Sequence, residues 1–211
     1  MDAPRVSGFD HVFVPAQEPS SRLLIVLHGR GDSVDGFRWL PHALQLPKLN
    51  YLLLNAPDPY AGGYSWYGLE VQAPGILRSR GMLSHLLAEL TQQGWPSRDL
   101  MLLGFSQGCV MSIDAGLRYD QPLAGIVGIS GWAFLERFEE ELHSQALKQR
   151  WLITHGNADE LLPIVRTHGQ IERLQASGIP NAWHEFAKGH TIDPDLELPL
   201  IQEWIAAAWA H

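Results

Sequence analysis

The chain has 211 residues, 45% of them hydrophobic and 18% charged, with a formal net charge of −8, a length and composition suited to one globular domain over residues 1–211. The acidic balance opposes phosphate backbones and excludes nucleic acid as an expected partner. A single cysteine, Cys109, excludes an intrachain disulfide and any cysteine-based metal cluster. The N-terminus "MDAPRVSGFD" lacks the layout of a signal peptide, and no apolar run approaches the ~20 residues of a membrane span. The expectation is a soluble protein of a reducing compartment, placed in the cytoplasm.

In chain order, strands are predicted at residues 11–15, 23–29, 50–57, 100–106, 123–130, 151–156 and 182–187. Most are continuous apolar runs such as "LLIVL" and "LMLL", the pattern of strands buried on both faces. Helical spacing is predicted over 34–46, where Pro41 should kink or split the helix. It recurs over 76–93 (Leu83, Leu86, Leu87, Leu90), 107–119 (Cys109, Val110, Ile113, Leu117), 163–177 and 196–210. Alternating strands and helices imply an α/β fold, a mostly parallel central sheet flanked by helices on both faces. Residues 57–75, "PDPYAGGYSWYGLEVQAPG", read as one long irregular loop, and such loops in compact domains tend to be functional. Among eight tryptophans, some should line a pocket.

The segment "GFSQG", residues 104–108, fits Gly-x-Ser-x-Gly. A buried strand runs into it and an amphipathic helix follows, which is the setting of a nucleophile elbow. The turn strains the serine backbone, exposes its oxygen at the carboxyl edge of the sheet, and tolerates little bulk beside it. The helix N-terminus adds positive potential where an oxyanion would form.

A serine hydroxyl needs a base, and the base needs a carboxylate behind it. On this fold the chain order is Ser, acid, His. Asp159 follows the strand in "WLITHGNADELLP" and His190 follows the last strand in "FAKGHTID", so Ser106, Asp159 and His190 are the expected catalytic group. Glu160 is the reserve acid. His28 and His155 also end strands but precede the acid, His184 is mid-strand, and Asp193 and Asp195 are expected to cap the last helix. Cys109 lies on the apolar face of its helix and reads as a buried structural thiol.

The strand 23–29 ends in "LHGRGDS". Arg-Gly-Asp alone would suggest adhesion, but here it enters a glycine loop after a buried strand. Such a loop supplies the second oxyanion donor, so the backbone N–H groups of Arg30 and Gln107 are the expected pair. Trp66, Tyr67, Trp132 and Leu161 fall in loops at the strand ends, where ligands of open α/β sheets bind, and are the expected surroundings of an acyl group.

Taken together, "LHGRGDS", "GFSQG", "THGNADELLP", "KGH" and "YSWYG" resemble the phospholipase/carboxylesterase family, which includes the acyl-protein thioesterases. The resemblance spans residues 27–190. It implies an α/β-hydrolase fold, no cofactor or metal, and hydrolysis of carboxylic esters or thioesters of small to medium acyl chains. The substrate would be a small ester or thioester, an acylated protein or a lysophospholipid. The resemblance carries onto Ser106, Asp159 and His190, and onto the backbone of Arg30 and Gln107. Three other readings stay open: a lysophospholipase, a serine peptidase, or a non-catalytic ligand-binding homologue.

Overall fold

The computed structural model describes residues 2–136 and 141–209. Seven strands form one sheet in the order β1-β3-β2-β6-β7-β8-β9. They are β1 (His11–Val14), β2 (Leu23–Leu27), β3 (Asn50–Leu54), β6 (Leu100–Phe105), β7 (Gly125–Ile129), β8 (Trp151–Gly156) and β9 (Asn181–Phe186). All neighbours are parallel except the edge strand β1, which pairs antiparallel with β3. β2, β3, β7 and β8 are buried throughout, as their unbroken apolar runs require of strands covered on both faces.

The two-residue period of the strands divides the core. Leu23, Ile25 and Leu27 of β2 face one layer with Leu52 and Leu54 of β3. Leu24 and Val26 face the other with Tyr51 and Leu53. The first layer is roofed by α2 (Gln72–Gln92), α3 (Gln107–Arg118) and α4 (Ile164–Ala176), the second by α1 (Leu40–Leu44) and α5 (Glu197–Ala207). Every residue of α3 from Gln107 to Leu117 is buried, which places the elbow helix at the centre of the molecule.

One segment divides as expected and two differ from the sequence expectation. Residues 34–46 split into a 3₁₀ turn (Val34–Phe37), capped by the Ser33 side chain, and α1, in whose first turn Pro41 sits. A first-turn N–H has no helical partner, so proline costs nothing there. The same tolerance lets α2 begin at Gln72, with Pro74 in its first turn, rather than at residue 76. The irregular stretch 57–75 therefore contains a helix start, and also a hairpin of β4 (Asp58–Tyr60) and β5 (Gly63–Ser65). The predicted last residue of the final helix, 210, lies outside the described residues, as do residues 1, 137–140 and 211 of the expected domain. Among the described residues, no helix is long and apolar enough to cross a membrane.

Candidate active site

β6 delivers Ser106 at the carboxyl edge of the sheet, between β2 and β7. Its backbone is held at φ 55°, ψ −115°, a strained region that a non-glycine residue occupies at a cost of about 1–3 kcal/mol. The Ser106 N–H donates to the Ile129 carbonyl at 2.9 Å, and the Val110 N–H returns to the Ser106 carbonyl at 3.2 Å. Gly104 and Gly108 have no space for a side chain. A Cβ at Gly104 would strike the Gly108 carbonyl, and one at Gly108 the Leu27 carbonyl of β2. The glycines of the motif thus serve close backbone packing, with the strain concentrated on the serine between them.

The loops after β8 and β9 bring Asp159 and His190 to the same edge. His190 Nε2 lies 2.8 Å from Ser106 Oγ, and His190 Nδ1 lies 2.7 Å from Asp159 Oδ2. Asp159 Oδ1 accepts the N–H groups of Leu161 and Leu162 at 3.0 and 2.8 Å. Burial by itself pushes this carboxyl up, yet the Leu162 N–H and the histidine together hold it below the ordinary aspartate range. An ionised carboxylate only accepts hydrogen bonds, so Nδ1 carries the imidazole proton and Nε2 is left to accept from the serine hydroxyl. The ring of His190 packs on Phe105 at 5.1 Å between centroids.

The loop after β2 lies beside the serine, and an added Cβ at Gly29 would come within 3.3 Å of the Ser106 Cβ. The backbone N–H groups of Arg30 and Gln107 have no acceptor among the described residues, and both residues line the cleft that holds Ser106 and His190. The loop is stitched to the hairpin by Gly31 N–H to Tyr64 O and Tyr64 N–H to Asp32 O, each 2.8 Å. Asp32 is partly buried and accepts the Ser33 N–H at 2.8 Å. Arg-Gly-Asp is therefore anchored at the cleft rather than displayed on a protruding tip.

The cleft measures about 420 Å³, and Tyr67, Trp132 and Leu161 are among its lining. Trp66 is a correction to the sequence reading. It is fully buried, its indole N–H donates to the His28 carbonyl at 2.9 Å, and its ring packs on Phe9 and His28 in the layer beneath. Adjacent side chains of this stretch diverge, and with Tyr67 on the cleft its neighbour falls into the core. Glu160 and His184 are exposed. Asp193 caps the turn before α5 through the N–H groups of Asp195 and Leu196, while Asp195 makes no such cap. Cys109 is buried against Gly131, and burial pushes its thiol up to about 12.

Several supporting groups escape the sequence reading. The buried Gln107 side chain accepts from Ser65 Oγ and the Trp66 N–H at 3.1 and 3.0 Å, and donates to the Tyr67 carbonyl at 2.8 Å. It locks the pocket segment to the elbow helix. His28 donates from Nδ1 to the Gly29 carbonyl and accepts the Ala56 N–H at Nε2. This pattern fits a neutral ring, and burial pulls its pKa down. His155, also pulled down by burial, contacts the Leu162 carbonyl at 2.8 Å behind Asp159. Lys188 reaches Ser130 Oγ at 3.0 Å, the Thr191 carbonyl at 2.6 Å and both Glu197 oxygens at 2.7 and 2.6 Å. The only sequence signal for this buried pair is a lysine two residues before the histidine. Among the described residues, no group of three or more His, Cys, Asp or Glu is placed to hold a metal ion.

The family model described as phospholipase/carboxylesterase matches residues 10–208. Acyl-protein thioesterase 1 of Yarrowia lipolytica is 31% identical over 198 residues, covering 83% of this chain and 86% of that protein. Acyl-protein thioesterase 1 of Schizosaccharomyces pombe is 34% identical over 166 residues, covering 72% and 74%. Among solved structures, esterase PE8 aligns with a TM-score of 0.85 at 27% identity, covering 95% of this chain and 99% of that one.

Proposed function

The chain belongs to the phospholipase/carboxylesterase family, a family of ester and thioester hydrolases, and on that premise we propose that it is a serine hydrolase acting on small to medium acyl esters or thioesters through an acyl-enzyme. The observation that carries this reading is the unbroken path from Ser106 Oγ through His190 to Asp159, at 2.8 and 2.7 Å. Ser106 attacks the acyl carbonyl carbon while its proton passes to His190 Nε2. The negative oxygen is received by the N–H groups of Arg30 and Gln107, each worth about 2.7–4 kcal/mol in such a hole. Collapse breaks the bond to the leaving oxygen or sulfur, which takes the proton from His190. Water then attacks the acyl-serine, gives its proton to the same nitrogen, and releases the acid as the serine oxygen recovers a proton. Asp159 holds the imidazole tautomer and stabilises the imidazolium without itself taking the proton.

The apolar lining from Tyr67, Trp132 and Leu161 supports an acyl chain as the bound group. Hydrolysis of a p-nitrophenyl ester series from acetate to laurate, by wild type and Ser106→Ala, tests the reading. Turnover by wild type, with the variant near the buffer rate, is expected, and the preferred chain length sizes the pocket. Equal rates for both proteins would remove Ser106 as nucleophile. No turnover of any ester, together with failure to label with a fluorophosphonate, would favour a ligand-binding homologue.

A further inference from the structure

We infer that the cleft is built for esters or thioesters that carry a negative charge close to the scissile bond, recognised by Arg30 and Arg166. This inference rests on the hydrolase reading and names its substrate class. The Arg30 guanidinium lies over the Tyr60 ring at 3.8 Å, and that of Arg166 over the Trp132 ring at 4.8 Å. Both arginines line the cleft that contains Ser106 and His190.

Several other arginines are differently satisfied, while the side chains of Arg5 and Arg98, remote from the cleft, are also without an ion pair among the described residues. Arg38, Arg78, Arg80 and Arg118 each meet a carboxylate. Arg22 and Arg150 are also stacked on tryptophans, yet they donate to the carbonyls of Trp209 and Trp204. The guanidiniums of Arg30 and Arg166, both exposed residues, have neither an ion pair nor a hydrogen-bond acceptor among the described residues. The chain carries 23 acidic side chains against 15 basic ones, so two unpaired guanidiniums beside the nucleophile are not explained by a shortage of carboxylates. Stacking covers the face of a guanidinium and leaves its N–H edge free, a preorganised fork for a carboxylate or phosphate. Competing anions stand nearby but are occupied or set aside. Asp32 lines the cleft and is bonded to the Ser33 N–H, Asp159 is held by His190, and Glu70 shares an adjoining groove with Arg30 without an ion pair.

The test compares matched esters. Mono-p-nitrophenyl adipate against p-nitrophenyl hexanoate places the charge on the acyl side. 4-Carboxyphenyl hexanoate against 4-carbamoylphenyl hexanoate places it on the leaving group. Wild type is expected to favour the anionic member of one pair by about tenfold in kcat/KM, an ordinary gain for a charge-assisted contact. The preference should shrink in about 0.5 M salt. Arg166→Gln and Arg30→Gln should each reduce the ratio several-fold, the second keeping its backbone N–H, and the double variant should abolish it. The arm that responds assigns the charge to the acyl or the leaving side. Ratios near one in both arms, or a preference unchanged in the double variant, would overturn the inference. Hydrolysis of the neutral esters reports separately on the hydrolase reading. If none of the four esters is turned over, that reading falls and this one with it.

Discussion

Replacing Lys188 by methionine isolates what the buried pair beneath the histidine loop contributes. The Lys188 and Glu197 side chains are 2% and 0% exposed, and the ammonium meets both carboxylate oxygens, Ser130 Oγ and the Thr191 carbonyl. Methionine fills a similar volume but leaves the Glu197 carboxylate buried, with the Asp193 N–H, at 2.9 Å, as its remaining donor. Breaking one side of such a pair costs about 3–5 kcal/mol, because the stranded charge keeps its desolvation penalty. At 2–4 °C per kcal/mol for a chain of this size, the melting temperature should fall by about 6–20 °C. The double variant Lys188→Met, Glu197→Leu removes both charges and should recover at least half of that loss. His190 is two residues from Lys188 and its loop is tied down through Thr191, so ester turnover by the single variant should also drop, by about tenfold or more. Denaturant melts and kcat on one p-nitrophenyl ester measure both effects. A single variant within about 1 kcal/mol of wild type, or a double variant no more stable than the single, would refute the reasoning.

Removing the Gln107 side chain strands the Trp66 N–H in a buried site, so Gln107→Ala should cost about 1–3 kcal/mol. A melting temperature equal to that of wild type would show that the 65–67 segment is held by other contacts. Asp159 is held below the unfolded aspartate value of about 3.9. Its contribution to stability is therefore complete above about pH 4 and lost as the pH falls through the lower folded value. Asp159→Asn should be less stable than wild type in urea at about pH 7, and the gap should close towards about pH 3; a gap that widened with acid would contradict the sign.

Much of this molecule could be read from local sequence. The unbroken apolar runs of β2, β3, β6, β7 and β8 announce strands buried on both faces, and "GFSQG" between a strand and a helix announces the strained turn at Ser106. Asp159 and His190 were legible because each follows a strand end, and parallel strands bring their carboxyl ends to one edge. Boundaries were less legible. The helix expected from residue 76 begins at Gln72, because Pro74 in its first turn sacrifices no hydrogen bond.

What tertiary structure alone decided depends on contacts between residues far apart in the chain. Gln107 reaches Trp66 across 41 positions and Lys188 reaches Ser130 across 58. Such partners leave no period in the sequence, because either residue alone would be equally at home on a solvated surface. The direction of Trp66 was settled by its indole hydrogen bond to the His28 carbonyl and its ring contacts with His28 and Phe9 rather than by its neighbours in "YSWYG". Arg30, in the loop after β2, and Arg166, in the first turn of α4 beyond β8, line one cleft because parallel strands bring their carboxyl ends to the same edge. Composition counts charges; only the fold determines which of them are left without a partner beside the serine.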